Sequence, residues 1–182
     1  MPETTTPPRA ALEQLLFDDP DLMAYAIVDG AQTEGLPQRL LEMGARHECL
    51  FVGQLEPEVR EVAPHLVSLN EDTGMLEHLL EGGWMKGWAI YLRSPLGMLD
   101  LRKHLRTLSL AELPDGEVVF FRYYDPLALR AVVPTMDEVQ RRAFFGRDAV
   151  EHIFCEGDDP EEILRFPASM PTAPLEMTQT SG

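Results

Sequence analysis

Basic side chains are scarce in this chain: 15 Lys and Arg stand against 31 Asp and Glu in 182 residues, a formal net charge of −16. Phosphate contacts need clustered cations, so the balance argues against a nucleic-acid binder. Cysteine is scarcer still. The two present, Cys49 and Cys155, lie far apart without CxxC spacing, which suits a reducing cytosol better than a disulfide framework. No stretch approaches the roughly 18 uninterrupted apolar residues of a membrane span. The opening MPETTTPP has neither a basic n-region nor an apolar h-region, so no secretory signal is expected. The five histidines (His47, His65, His78, His104, His152) are scattered. With no HExxH, GxSxG or Walker pattern among them, neither a metal nor a cofactor is expected.

Apolar residues make up 45% of the chain, enough for the core of one domain. Helical and strand patterns alternate along it. An amphipathic stripe at Leu12, Leu15 and Leu16 predicts a helix over 9–17. Short apolar runs at 24–28, 48–52, 65–69 and 88–92 predict four strands, with helices between them near 37–43, 57–62 and 73–81. Met98, Leu101, Leu105 and Leu108 recur at helical spacing after Ser94-Pro95, which reads as a cap and a first-turn proline. The capping-box pattern at Thr135 to Glu138 opens a helix that stops at Gly146. This alternation predicts an α/β fold with about five strands in an at least partly parallel, mixed sheet flanked by helices. Residues 1–8 and 167–182 are expected to be unstructured. Residues 148–166 are expected to form a short acidic helical extension of the 9–147 lobe.

The richest segment is EVVFFRYYDP, Glu117–Pro126, where six β-branched or aromatic residues surround Arg122. Such a composition predicts a fifth strand buried on both faces and ended by Asp125-Pro126. A guanidinium there needs an anion, and Asp125 is the nearest in sequence. Charge is also segregated. Residues 1–92 carry 5 cations and 16 anions and 148–182 carry 1 and 8, while 93–147 carry 9 and 7. Arg102, Lys103 and Arg106 form a basic ridge beside the apolar stripe of their helix.

The order Tyr25–Ala31, Leu50–Gly53, Ala63–Leu69, Gly87–Ser94, Leu101–Leu108 (LRKHLRTL) and Pro114–Pro126 (PDGEVVFFRYYDP) resembles the family called domain of unknown function 4123, the effector adaptors of bacterial type VI secretion. The resemblance covers about residues 22–147, and HLR and FRYYDP are its most specific elements. It implies a non-enzymatic cytoplasmic adaptor, or chaperone. Such a protein binds a secreted effector protein (a toxin) and promotes its loading onto the valine-glycine repeat spike protein. It also implies an α/β N-lobe followed by a variable helical C-lobe. This chain departs from the pattern in having Leu127 after Asp-Pro and a short region after Gly146. The candidate partner-binding residues are Arg93, Arg102, Lys103, Arg106, Arg122, Tyr124 and Asp125. Charge reversal at Arg102 and Arg106 is expected to weaken effector capture without changing the melting temperature. The alternative is a small α/β enzyme with a pocket at the strand ends, where Asp29, Asp125 and His104 would have to converge. A purely structural partner is a third reading.

Overall fold

Strands β1 (Met23–Val28), β2 (His47–Cys49), β3 (His65–Ser68), β4 (Ala89–Ser94), β7 (His152–Glu156) and β8 (Ile163–Pro167) form one six-stranded sheet. The computed structural model that shows this describes residues 8–112 and 115–169. The spatial order is β2-β3-β1-β4-β7-β8, and every neighbouring pair is antiparallel. The sheet is therefore neither five-stranded nor partly parallel. Helix-containing crossovers join strands of like direction, but each crossover spans a strand belonging to the other. β1 crosses to β2 with β3 lying between them, and β3 crosses to β4 with β1 lying between them. Interleaving turns what reads as a parallel alternation into an antiparallel ladder.

Alternate residues of the central strands feed two apolar layers. Tyr25, Ile27, Ile90 and Leu92 face α5 (Met98–Thr107), α6 (Pro126–Val132) and α7 (Glu138–Phe145), meeting Met98, Leu101, Leu105, Leu129, Phe144 and Phe145. Ala24, Ala26, Val28, Ala89 and Tyr91 face the opposite way. They meet Leu12 and Leu16 of α1 (Arg9–Phe17), Leu36 and Leu40 of α2 (Leu36–Glu42), and Leu79 and Leu80 of α4 (Met75–Gly83). The small alanines on this face let the helices sit close. Helix α3 (Pro57–Glu61) buries nothing and serves as a connector.

Three expected elements differ. Residues 148–166 are not helical: β7 and β8 pair along their length and extend the sheet by a hairpin. The acidic run that resembles a helix start, Asp158 to Glu162, is their turn, and Pro167 belongs to β8 rather than to an unstructured tail. The remaining terminal residues, 1–7 and 170–182, lie outside the described residues. The capping box uses Asp137 and Gln140, two residues later than Thr135 and Glu138. Ser94 ends β4 instead of capping α5. Its hydroxyl donates to the Ala149 carbonyl at 2.5 Å and accepts from Leu96 N–H, so Gly97 takes the N-cap position.

The Glu117–Tyr124 run also departs from expectation. Only Val118–Phe120 is a strand, β6, and it pairs with β5 (Leu110–Glu112) in a separate two-stranded ribbon. Val118 and Phe120 are exposed. The Phe121 N–H still donates to the Ser109 carbonyl, and beyond it the chain leaves the ladder. Tyr123 and Tyr124 turn into the core layer under α5 and α7. The aromatic residues are thus divided between a solvent-facing ribbon and the interior, where a single buried strand would have hidden them all.

Candidate functional site

The FRYYDP segment closes over the end of β1. The Asp29 backbone N–H donates to the Trp88 carbonyl at 2.8 Å, which continues the ladder one residue past Val28. Gly30 follows because a Cβ there would lie 2.5 Å from the Ala63 carbonyl oxygen. The Asp29 carboxylate is buried. Its Oδ1 accepts the Ala31 N–H at 2.9 Å, and its Oδ2 accepts from Nη2 of Arg122. Arg122 reaches in from the surface with 40% of its side chain still exposed. Its guanidinium carbon lies 5.9 Å from the centre of the Tyr124 ring. Burial, reinforced by the Asp29 charge, pushes the Tyr124 phenol up to about 12 against the opposing pull of Arg122. The Tyr123 hydroxyl donates to the Leu105 carbonyl at 3.0 Å, fastening the segment to the last turn of α5.

Asp125 is not the partner of Arg122. A turn brings the Asp125 N–H onto the Arg122 carbonyl at 3.0 Å, and the Asp125 carboxylate accepts the Leu127 N–H at 2.8 Å as N-cap of α6. Pro126 then fills the first helical position, where a missing N–H is harmless. The Asp-Pro pair is a helix start.

The basic ridge is likewise committed inward. Arg106 donates from one nitrogen to the carbonyls of Cys49 (2.9 Å) and Phe51 (2.8 Å), at the end of edge strand β2. Arg102 pairs with Glu48 of the same strand at 2.9 Å. Burial, together with the neighbouring Arg102 charge, lowers the Arg106 guanidinium from its ordinary value. Lys103 alone points outward, paired with Asp100 at 2.8 Å on an exposed helix face. Arg93 is only 4% exposed. It donates to the Leu15 carbonyl (2.9 Å) and pairs with Asp18 and with Glu151 (2.9 Å), pinning the end of α1 to β4. The structure therefore brings Arg122 and Tyr124 together around Asp29. It places Arg102 and Arg106 side by side at the α5–β2 fastening and Arg93 at the separate α1–β4 one.

Asp29, Asp125 and His104 do not share a hydrogen-bonding centre. Asp29 bonds Arg122, Asp125 caps α6, and His104 Nε2 lies 2.8 Å from the Phe144 carbonyl, joining α5 to α7. Among the described residues no group of three or more His, Cys, Asp or Glu could hold a metal. A cleft of about 440 Å³ opens between the 85–87 loop, the start of α6 and the turn after β7. Inside it the Glu156 carboxylate accepts the N–H groups of Met85 (2.6 Å) and Gly87 (3.0 Å), while burial raises its pKa above the usual carboxylate value.

Glu156, and the role of Asp29 as the partner of Arg122, are what sequence reasoning missed; it named Asp29 only for the enzyme alternative. Asp29 follows a strand and precedes glycine, so it reads as an ordinary turn residue. Its partner lies 93 residues away. Glu156 stands at the junction of an apolar run and an acidic one, and its position at the end of Ala149–Cys155 was the available signal.

Residues 24–143 match the family model described as "Domain of unknown function (DUF4123)". The chain belongs to that family. The match takes in 120 of the 182 residues, from β1 into the last turn of α7, and includes the Asp29–Arg122 fastening and the ribbon. The β7–β8 hairpin of this DUF4123 protein lies beyond it. No curated protein and no solved structure matches the chain. No helix among the described residues is long and apolar enough to cross a membrane.

Proposed function

We propose that this DUF4123 protein is a cytoplasmic, non-enzymatic adaptor. It binds a type VI secretion effector and promotes its loading onto the valine-glycine repeat spike protein. The observation that carries the reading is the family match over residues 24–143, which contains both of the most specific elements of the resemblance, HLR and FRYYDP. The local chemistry is compatible with it. The charged members of those elements are used internally: Arg106 on the β2 edge, Arg122 on Asp29, Asp125 on α6. Such a motif identifies the scaffold, and partner contact falls to surfaces around it.

Arg102, Arg106 and Arg122 act in this reading as supports of the docking scaffold rather than as its contact charges. Lys103, exposed on α5, remains available to a partner. The test is co-purification of the full chain with a candidate effector, a toxin-like protein, and with a candidate spike protein. A stable complex with the toxin-like protein is expected. Failure of both proteins to bind, under conditions where each is folded, would overturn the proposal.

A further inference from the structure

The β5–β6 ribbon presents an apolar face to solvent and, among the described residues, a strand edge with no ladder neighbour. Leu110 and Phe120 are directly opposed across the ladder, and Val118 is two residues from Phe120, so all three side chains share one face. They are 65%, 50% and 60% exposed, respectively. Phe51 extends this surface by an edge-to-face contact with Phe120 at 5.8 Å, and Val52 beside it in the chain is exposed.

The ladder also fixes which backbone groups are free. Phe121 N–H donates inward to the Ser109 carbonyl, so in an antiparallel pair residues 119 and 121 bond β5 while 118 and 120 point outward. Among the described residues β6 has β5 as its one ladder neighbour. An open edge beside an apolar face is a template for a further strand.

Charge selects the occupant. Asp115 and Glu117 are exposed at the entry to β6, and neither has an ion-pair partner among the described residues. A second copy would bring the same acidic flank and its own charge of −16, which disfavours self-pairing.

We infer that the outer edge of β6 binds an extended segment of a partner protein in which apolar residues alternate with Lys or Arg. Its backbone pairs with Val118 and Phe120, its apolar side chains cover Leu110, Val118 and Phe120, and its cations meet Asp115 and Glu117. The identity of that partner as the effector rests on the adaptor reading; the surface itself does not.

The test uses the full chain and a labelled peptide of about ten residues alternating valine with lysine, read by fluorescence anisotropy at near-physiological salt. Two variants probe the site. Val118→Ser with Phe120→Ser removes apolar contact, and Val118→Pro removes an outward N–H without touching the bonds to β5. Each is expected to weaken binding about tenfold, and a valine–glutamate peptide is expected to bind at least that much more weakly. If Val118→Pro fails to fold, the serine pair decides. Equal affinity for wild type and variants, or for both peptides, would overturn the inference. So would a wild-type dimer in sedimentation that the variants lose. Retained effector capture by the serine variant would reject this surface as the effector site and leave the adaptor reading standing. Peptide binding without effector capture would do the reverse.

Discussion

Removing the Arg122 guanidinium would leave the carboxylate of Asp29, a residue 1% exposed, with the backbone N–H of Ala31 as its remaining hydrogen-bond donor among the described residues. Arg122 is itself half in solvent, which screens the pair, so Arg122→Ala is expected to cost about 1–2 kcal/mol rather than the larger loss of a fully buried pair. Adding Asp29→Asn should cost less than the sum of the single changes, as chemical denaturation of the four proteins would show. Additive losses would mean the two groups are not coupled. Asp125→Ala removes a helix cap and should cost about 1 kcal/mol, independently of Arg122. The ion-pair requirement of Arg122 was legible in the sequence, but its partner was not. Local spacing points to Asp125, whereas the topology brings β1 beneath residue 122.

His65 gives the chain a pH dependence at the same scale. Burial lowers its pKa from 6.5 to about 4, with a hydrogen bond to the Ala63 carbonyl opposing and His47 adding to the shift. The unfolded imidazole takes a proton below about pH 6.5 that the folded one refuses until about pH 4. Stability is therefore fully present above pH 6.5 and lost progressively as pH falls toward 4, by about 3 kcal/mol in all. Denaturation midpoints measured across this window should fall for wild type and flatten in His65→Gln. A parallel fall in both would assign the acid sensitivity elsewhere.

Among the elements, α5 is the one whose removal from the β2 edge has the clearest consequence. Arg106 occupies two edge carbonyls, so Arg106→Met leaves them to water or to another chain. A stability loss of about 1–3 kcal/mol is expected, with increased aggregation near the melting temperature, while Lys103→Ala stays within about 0.5 kcal/mol of wild type. This reverses the expectation that charge reversal at Arg102 and Arg106 spares the melting temperature. Thermal melts distinguish the two directly. Six helices and most strands were legible to within a few residues, because apolar periodicity and Gly or Pro punctuation are local. Strand direction was not, since it depends on two crossovers interleaving. The β7–β8 hairpin was missed because its turn, Asp158 to Glu162, has the acid-rich composition of a helix N-terminus.

For the whole molecule, a net charge of −16 and a solvent-facing apolar ribbon are two halves of one surface chemistry. Acidic repulsion keeps the ribbon from its own copies, and a basic partner is drawn to it at a rate that salt should slow. The charged residues of HLR and FRYYDP build the scaffold, with Arg106 on the β2 edge, Arg122 on Asp29 and Asp125 on α6. The decisive measurement is capture of a candidate toxin-like effector by the full chain, wild type beside the Val118→Ser, Phe120→Ser variant, with melting followed in parallel. Stoichiometric capture by wild type, lost in a variant that melts unchanged, is the predicted result. No capture by folded wild type, or equal capture by both proteins, would contradict the account.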